Sequence, residues 1–321
     1  MTGNGRFAAK ANMSDTPIVF LIFNRPDLTA RVFAAIREAR PRTLLIVSDG
    51  PRSTHPDDAA KVAATRAIVE KVDWPCTVLK DYAADNLGCM VRVSSGLTWA
   101  FKQVEEAIIL EDDCLPHPSF FRYCSNLLER YRDDARVMHI GANNFQNGIR
   151  RTPHSYYFSK ISHIWGWATW RRAWQLYDVN LQGLAEFLDS NGLTPYCPNL
   201  VEREYWIKIF QDTAARQHTW DSQWVYALWK QSALAVVPEV NLISNIGFGP
   251  EATHTLGNAP EANLAVADIG EISHPPFIVR CVEADDFTFN NVYARKRKVH
   301  PVKALLRRIK KIVRNAFPQV S

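Results

Sequence analysis

Residues 18–26 read IVFLIFNRP, and this stretch sets the pattern from which the fold is predicted. Its first six residues form an apolar run with the length of a buried strand. Asn24, Arg25 and the proline after them are a helix-start signal, because proline in the first helical turn loses no hydrogen bond. Apolar residues then recur at helical spacing as far as Ala39. A strand followed at once by an amphipathic helix is typical of an α/β fold.

The same alternation continues over the next hundred residues. Strands are predicted at residues 43–47, 76–79, 107–110 and 137–140, and helices at about residues 56–72, 90–102 and 120–131. Strands that alternate with helices imply an α/β fold with a mostly parallel sheet and helices on both faces. Ligands of such sheets bind beyond the carboxyl ends of the strands, so the polar residues that directly follow each strand are the first candidates for a site.

Patterning divides the chain into four parts. Residues 1–15 lack periodicity and are predicted to be disordered. Residues 16–145 carry the regular alternation of strands and helices. Residues 146–290 are predicted to form a second, irregular and Trp-rich half of the same domain. Residues 291–321 form a basic tail whose apolar side chains fall on one helical stripe, which predicts an amphipathic helix.

The net charge of +5 belongs to the tail, because residues 295–314 hold ten Lys/Arg and no Asp/Glu. The remainder has 28 basic and 33 acidic residues. An acidic body argues against a nucleic-acid-binding protein, which is normally basic across its binding face. The tail could lie on an anionic membrane surface or pack against the body, and the sequence leaves both open.

The cysteines and the apolar runs bear on the cellular setting. Six scattered cysteines without a Cys-x-x-Cys pair argue against a zinc site or a disulfide framework and favour a reducing compartment. No apolar run reaches the ~18 residues of a membrane span, and no secretory signal is recognisable. The sequence therefore predicts a cytoplasmic protein, peripheral at the inner face of the membrane if its tail binds lipid.

The acidic triplet Glu111, Asp112 and Asp113 directly follows an apolar strand. Three adjacent carboxylates at a sheet edge repel one another unless a cation neutralises them. Hard cations such as Mg²⁺ or Mn²⁺ take oxygen ligands and often bridge to phosphates. The alternative is a solvated acidic turn that caps the next helix. The position at the carboxyl end of a strand favours the metal site.

Other polar residues follow the remaining strands. Asn24, Arg25 and Asp49 could bind a base, a ribose or a phosphate, and could equally be helix caps and a turn residue. Asn86 begins an Asn-Leu-Gly turn, and Arg92 lies one turn inside the helix that follows. Arg92 could therefore reach an anion at the helix N-terminus, or be an exposed arginine of an ordinary helix.

Four tryptophans fall within ten residues, at positions 165, 167, 170 and 174. The last three are spaced as one buried face of a helix and are predicted to belong to the core. Trp165 precedes that predicted helix, beside Gly166. A flat indole next to a glycine can form a platform for a sugar ring. The sequence leaves open whether Trp165 lines a site or belongs to the core.

Two further side chains could take part in chemistry. Asp221 lies between Trp220 and Trp224, where it could simply cap a helix. It could also be a partly desolvated carboxylate that accepts a proton. His254 lies in a stretch rich in glycine and proline, and a loop histidine of this kind can fill an open metal position, contact phosphate or face solvent.

In their order and spacing these motifs resemble those of the GT-A-type, nucleotide-sugar-dependent glycosyltransferases. The resemblance is to the N-acetylglucosaminyltransferase I group and to bacterial family-two-like sugar transferases, and it spans roughly residues 17–255. The matching pieces are Phe23-Asn24-Arg25-Pro26, Ser48-Asp49-Gly50, Asn86-Leu87-Gly88, Ile109-Leu110-Glu111-Asp112-Asp113 with Pro118 and Phe120-Phe121, Trp165-Gly166-Trp167, and Trp220-Asp221.

The resemblance implies a GT-A (Rossmann-like) fold, with residues 16–145 as the nucleotide-sugar-binding half and residues 146–290 as the acceptor and catalytic half. It implies Asp113 as a ligand of Mn²⁺ or Mg²⁺, and Asp221 as the general base of an inverting enzyme. His254 is the candidate for a second metal ligand, from its place in the loop. Taken together, the predicted nucleotide- and donor-binding residues are Phe23, Asn24, Arg25, Asp49, Asn86, Arg92, Glu111, Asp112, Trp165 and Gly166.

The predicted function is the metal-dependent, inverting transfer of a hexosyl or N-acetylhexosaminyl group from a nucleoside-diphosphate sugar. A UDP-sugar donor is favoured, and the acceptor is a hydroxyl of a glycan or lipid-linked molecule, as in bacterial polysaccharide synthesis. The tail and the acceptor region differ from those of the Golgi enzymes. Two other classes stay open: a non-catalytic nucleotide- or sugar-binding module, and a nucleotidyltransferase. The second is disfavoured because residues 23–27 lack the glycine-rich loop that such an enzyme needs.

Overall fold

The alternation of strands and helices is present in the computed structural model, which describes residues 15–248 and 262–294. Its strands are β1 (Ile18–Ile22), β2 (Thr43–Ser48), β3 (Thr77–Tyr82), β4 (Glu106–Glu111), β5 (Cys114–Pro116), β6 (Val137–Gly141), β7 (Tyr156–Ser159), β8 (Trp167–Trp170), β9 (Leu234–Pro238) and β10 (Ile243–Asn245). Its α-helices are α1 (Pro26–Ala39), α2 (Asp58–Val69), α3 (Gly88–Gln103), α4 (Ser119–Arg130), α5 (Arg171–Trp174), α6 (Leu184–Asp189), α7 (Leu200–Arg216), α8 (Asp221–Lys230) and α9 (Val282–Thr288).

Eight of these strands form one sheet in the order β3-β2-β1-β4-β8-β6-β9-β7. The first four are parallel to one another, and β8 is antiparallel to both β4 and β6. β9 is parallel to β6 and antiparallel to β7. β5 and β10 pair separately as a two-stranded antiparallel ribbon. The predicted α/β class with a mostly parallel, Rossmann-like sheet is confirmed.

Alternate residues of β1 enter two different apolar cores. Phe20 and Ile22 pack into a cluster that includes side chains of α1 and α4. Val19 and Leu21 pack into a second cluster that includes side chains of α3 and α8. Successive strand residues point to opposite faces of a sheet, so this division places helices on both faces. β1 is buried along its whole length, as expected of a central parallel strand.

The prediction of one helix through the clustered tryptophans is wrong. Trp167 and Trp170 lie in β8, where Trp167 is opposite Ile109 of β4 and Gly141 of β6. Helix begins only at α5, which ends at Trp174. A strand buried on both faces carries no polar alternation, so its large apolar residues can imitate helical spacing. The core assignment itself is confirmed, because Trp167, Trp170 and Trp174 are all buried.

Buried charges hold the second half of the chain together. The Lys160 ammonium lies 2.5 Å from a Glu202 carboxylate oxygen and donates to the carbonyl of Tyr196 at 2.7 Å. Both charged side chains are almost completely buried. Asp285 of α9 accepts hydrogen bonds from Ser159 and Arg280 at 2.5 Å each. These contacts attach α7 and α9 to the end of β7.

Two sequence predictions fall mainly on residues outside those that the structure describes. The predicted disorder concerns residues 1–15, of which 1–14 lie outside, and the predicted amphipathic helix concerns residues 291–321, of which those from 295 lie outside. The described chain continues after α9 into a π-helical turn, Phe289–Tyr293. Among the helices that are described, none has the length and apolar composition to cross a membrane.

Candidate functional site

The carboxyl ends of β1 and β4 lie side by side, with Leu21 opposite Glu111. The residues that follow the two strands therefore meet. Arg25 donates from Nη1 to Asp113 Oδ2 at 2.9 Å and from Nη2 to Asp112 Oδ1. The backbone N–H of Phe23 donates to the second Asp112 oxygen at 3.1 Å. One guanidinium thus bridges two of the three acidic residues that the sequence analysis singled out.

Negative charge exceeds positive charge in this cluster. Burial, followed by the charge of Asp113, raises the pKa of Glu111 to about 8. Burial also raises the pKa of Asp112 to about 6, although Arg25 opposes that shift. For Arg25 itself, burial lowers the pKa, but the two aspartates outweigh burial and the guanidinium stays charged. Carboxylates that lie this close together and are this shielded from water are stabilised when an additional cation binds beside them.

Asn24 lies beside the cluster but contacts a different acid. Its amide nitrogen donates to Asp58 Oδ1 at 2.8 Å. Arg52 donates to both oxygens of the same carboxylate, at 2.5 and 2.9 Å, and holds the Asp58 pKa well below its usual range. The Arg52 guanidinium also lies over the Phe23 ring, 5.3 Å from its centre. Sequence reasoning missed Arg52 and Asp58, which fix the position of Asn24.

Asp49 uses its carboxylate to organise the start of α3. It accepts from the backbone N–H groups of Leu87 and Gly88 at 2.9 and 3.1 Å, and from the Asn86 amide at 2.9 Å. A fourth bond comes from the N–H of Gly50. The predicted pair Asp49 and Asn86 is therefore brought together, with each side chain bound to the other.

Arg92 is also engaged within the protein. Its Nη2 donates to the Asp81 carboxylate at 2.5 Å and to the Asp81 carbonyl at 2.9 Å. The side chain is 8% exposed. Within the described residues the guanidinium therefore binds the end of β3.

Asp221 is the first residue of α8, one position later than the predicted cap. Its Oδ1 accepts from the Thr219 hydroxyl and from the Ser222 N–H at 2.9 Å. Within residues 15–248 and 262–294 both bonds fall on the same oxygen, which leaves Oδ2 as an acceptor. The negative charge of Asp221 is the smallest of the named causes of the raised pKa of Glu111, so Asp221 lies within electrostatic range of the acidic cluster.

Cys89 lies among these acids, and sequence reasoning missed it. Burial, then the charges of Glu111 and Asp221, raise the pKa of its thiol to about 12. The thiol is therefore neutral at physiological pH. Its position in the first turn of α3 places that helix against the site. The only sequence signal was its place directly after the Asn86-Leu87-Gly88 turn.

Trp165 and Gly166 lie immediately before β8, at the end of that strand next to this cluster. Trp165 is half-buried and packs edge-on against Phe145 and Phe248, with ring centres 5.6 Å apart in both cases. Gly166 has φ +64°, and a Cβ there would lie 2.5 Å from the Ile243 Cδ1 atom. Both the backbone conformation and the packing against β10 therefore disfavour a side chain at this position.

Gly247 closes over the ion pair between Arg25 and Asp113. A Cβ at this position would lie 2.3 Å from Asp113 Oδ2 and 2.8 Å from Arg25 Nη1. The N–H of Ile246 donates to the Asp113 carbonyl at 2.8 Å, so the backbone after β10 is held against the acid. His254 lies in the segment 249–261, outside the described residues.

The acidic cluster suits a divalent cation by charge and by donor chemistry. In the part of the chain that the structure describes, no three His, Cys, Asp or Glu side chains already surround a common metal position. Oxygen ligands are nevertheless the ones that Mg²⁺ and Mn²⁺ prefer. Asp113 is the more accessible of the two aspartates, with 14% of its side chain exposed against 3% for Asp112. The residues present therefore fit a metal bound at Asp113.

Comparison with known proteins finds only distant structural similarity, at low sequence identity. No protein-family model matches the chain, and no curated protein matches it. Among solved structures, it is similar to a mannosyltransferase from Pyrobaculum calidifontis in complex with GDP-Man and Mn²⁺, with 15% identity, 51% of this chain and 46% of that chain covered, and a TM-score of 0.37. The matched part thus spans less than half of the mannosyltransferase.

Two further similar structures belong to different classes of transferase. UTP-bound UGPase from Acinetobacter baumannii is 7% identical, with 72% of this chain and 88% of that chain covered and a TM-score of 0.35. Mouse xyloside xylosyltransferase 1 in its apo form is 11% identical, with 66% and 81% covered and a TM-score of 0.32. Similarity at this level does not decide an activity, which has to be argued from the site itself.

Proposed function

We propose that this chain is a glycosyltransferase that moves a sugar from a nucleoside-diphosphate sugar to a hydroxyl acceptor with inversion at the anomeric carbon. One observation carries the proposal. Arg25 bridges two acids, Asp112 and Asp113, at the carboxyl edge of the sheet, and a third acid with an available oxygen, Asp221, lies within electrostatic range of the same cluster. The first group can hold a diphosphate through a cation, and the second can take a proton from an attacking hydroxyl.

The donor is assigned to the β1 and β4 side of the site. Asp113 would hold Mn²⁺ or Mg²⁺, which when bound supplies positive charge to the leaving diphosphate. Arg25 is already fixed by Asp112 and adds a second positive charge at the same place. Phe23 and Asn24 lie at the adjoining strand end, where a base and a ribose would be bound. A UDP-sugar is the favoured donor.

The acceptor is assigned to the Asp221 and Trp165 side. Asp221 Oδ2 would accept the proton of the acceptor hydroxyl while the oxygen attacks the anomeric carbon. The Thr219 hydroxyl and the Ser222 N–H hold the other carboxylate oxygen, so the side chain is oriented before the acceptor arrives. Glu111, held mostly neutral at pH 7 by its raised pKa, can donate a hydrogen bond to a sugar hydroxyl.

The first experiment tests the reaction class. The protein is incubated with a panel of UDP- and GDP-sugars and Mn²⁺, and release of nucleoside diphosphate is measured with and without glycan acceptors. Release of diphosphate supports a glycosyltransferase. A binding module would bind the donors without turnover. A nucleotidyltransferase would instead release pyrophosphate from UTP and a sugar 1-phosphate, and either of these results contradicts the proposal.

The second experiment tests the base. Asp221→Asn keeps the acceptor oxygen that Thr219 and Ser222 use, so the fold is preserved. General-base catalysis is worth about 10²- to 10⁴-fold, and turnover should fall by that factor while donor affinity stays the same. Asp189→Asn, an exposed carboxylate in the same half of the chain, is the control. Loss of donor binding together with turnover would mean that Asp221 is structural.

A further inference from the structure

A cavity of about 660 Å³ opens on the second half of the domain. Residues 144–155, 239–241 and 264–273 supply its walls. A second cavity, of about 860 Å³, lies at the opposite end of the sheet between α1 and α4. The residues around Arg25 and Asp113 line neither cavity. The first cavity is within the size range of small-molecule sites, about 300–1,000 Å³.

Glu239 is one of the residues that line the first cavity, and one of its carboxylate oxygens is buried without a hydrogen-bond partner among the described residues. Its Oε1 accepts from the N–H of Arg151 at 2.9 Å, whereas Oε2 is buried and has no hydrogen-bond partner among the described residues. The side chain is 11% exposed, and burial raises its pKa. An unpaired buried carboxylate oxygen is costly, and a folded protein retains one where something else donates to it.

The other residues that line the cavity indicate which class of ligand would fit. The Arg150 guanidinium lies 4.0 Å from Glu239 Oε1 and is held by the carbonyls of Thr152 and Pro153. The cavity wall thus contains a carboxylate next to a guanidinium, with Val240 and Leu264 as apolar walls. Opposite charges side by side favour a neutral ligand that both donates and accepts hydrogen bonds. Sugar hydroxyls do both, and sugar rings have apolar faces.

The cavity is connected to the candidate site by β10. Asn241 lines the cavity, and Asn245 at the end of β10 pairs with Cys114, the residue after Asp113. The four residue steps from Asn241 to Asn245 span at most about 13 Å if the chain is extended. The backbone of residues 263–267 runs antiparallel beside β10, with Asn263 bound to Asn245 and Ala267 to Asn241. A saccharide of several sugars that reacts near Asp113 would extend along β10 and residues 263–267 into the cavity.

We propose that this cavity binds the extended part of a saccharide acceptor, with Glu239 as the residue that selects it. The inference rests on the proposed function for the reacting end of the acceptor, but binding to the cavity itself does not require catalysis. It assigns the acceptor to oligosaccharides and gives the enzyme a second contact with them, away from the reacting hydroxyl.

The test is binding to an array of oligosaccharides of two to six sugars, without nucleotide, by the full chain and its variants. Glu239→Gln keeps the oxygen that Arg151 binds and removes the charge from the cavity. Binding should weaken about ten- to a hundredfold, as for a lost hydrogen bond to a charged group. Glu129→Gln in the second cavity is the matched control and should bind as the unmodified chain does.

The outcomes separate the two proposals. Equal binding by the unmodified chain and Glu239→Gln, or no oligosaccharide bound at all, overturns the cavity proposal. Binding that depends on Glu239 in a protein that never releases nucleoside diphosphate supports the cavity and contradicts the proposed function. If Glu239→Gln does not fold, Arg150→Gln replaces it, because that side chain is 68% exposed and its loss does not open the core. Weakened binding by that variant supports the cavity, and unchanged binding contradicts it.

Discussion

Replacement of Gly166 by alanine tests whether this glycine is required by packing and backbone conformation or by a ligand. The backbone has φ +64°, which L-residues adopt at a cost of about 1–2 kcal/mol. The new Cβ would lie 2.5 Å from Ile243 Cδ1, 2.7 Å from Ile243 Cγ1 and 3.4 Å from Leu110 Cδ2. Overpacking of this kind costs about 1–3 kcal/mol more. We therefore expect Gly166→Ala to lower the free energy of unfolding by about 2–5 kcal/mol.

Gly270 provides a matched control for the backbone part of this cost. It has the same φ of +64°, and a Cβ added there would meet no heavy atom within 4 Å. Gly270→Ala should therefore cost about 1–2 kcal/mol. The difference between the two variants, measured by urea unfolding, is the cost of the contact with Ile243.

A double variant completes the cycle. Ile243→Ala removes both carbons nearest to the new Cβ, so Gly166→Ala in that background should cost about 1–3 kcal/mol less than it does alone. Equal costs for Gly166→Ala and Gly270→Ala, or strict additivity in the double variant, would refute the packing argument. A stable Gly166→Ala protein that binds no donor would show instead that the glycine is needed at a ligand.

Two further predictions concern buried polar groups. Asn143 is completely buried, and neither polar atom of its side-chain amide has a hydrogen-bond partner in the described chain. Asn143→Leu removes this unpaired amide and should raise the free energy of unfolding by about 1–3 kcal/mol. If urea unfolding shows a loss of stability instead, a water or ligand satisfies the amide. His139 and His163 have pKa values lowered by burial to about 3 and about 4. As the pH falls, the unfolded chain takes up protons on these two histidines before the folded chain does. Their contribution to the free energy of unfolding is therefore complete above about pH 6.5 and decreases below it, by about 1.4 kcal/mol per pH unit for each histidine. His163→Phe, which keeps the edge contact with Phe145, should reduce the slope of unfolding free energy between about pH 6.5 and about pH 4 by that amount, and an unchanged slope would contradict the assignment.

The sequence was sufficient to predict the first half of the sheet and the meeting of its polar strand ends. Strands β1, β2 and β4 are short apolar runs with clear helix signals between them, and parallel strands end at one edge. The order of these strands and helices along the chain therefore places the polar residues at the same edge, while the pairing of β1 with β4, which brings Arg25 close to Asp112 and Asp113, was not predicted. The prediction succeeded because it depended on where strands and helices lie along the chain, and the spacing of apolar residues indicates this well.

Partners of individual side chains could not be predicted in the same way. Asp49 and Arg92 have the residue types of a nucleotide site, but Asp49 binds the turn before α3 and Arg92 binds Asp81. These contacts join residues from different strands and loops, and no local pattern encodes them. The same holds for Glu239, whose importance comes from one unpaired oxygen in a cavity whose walls come from three segments of the chain.

The tryptophan-rich segment shows a different limit. Spacing of three and four residues favoured a helix, and the chain forms β8 instead, because the sheet has a place for an antiparallel strand between β4 and β6. Tertiary pairing decided the local structure. A strand there brings Trp165 and Gly166 to the same edge as Glu111, which a helix would not have done.

Charge explains why a metal is part of the proposed function. A nucleoside diphosphate is an anion, and the carboxylates of Asp112, Asp113 and Asp221 together would repel it. Within the described residues, Arg25 is the one cation that contacts this group, and both of its bonded partners are acids of the cluster. On the proposed function, we therefore expect the donor to enter together with further positive charge. A site that merely bound neutral sugars would have no use for this concentration of buried acid, whose cost to folding is visible in the raised pKa values of Glu111 and Asp112.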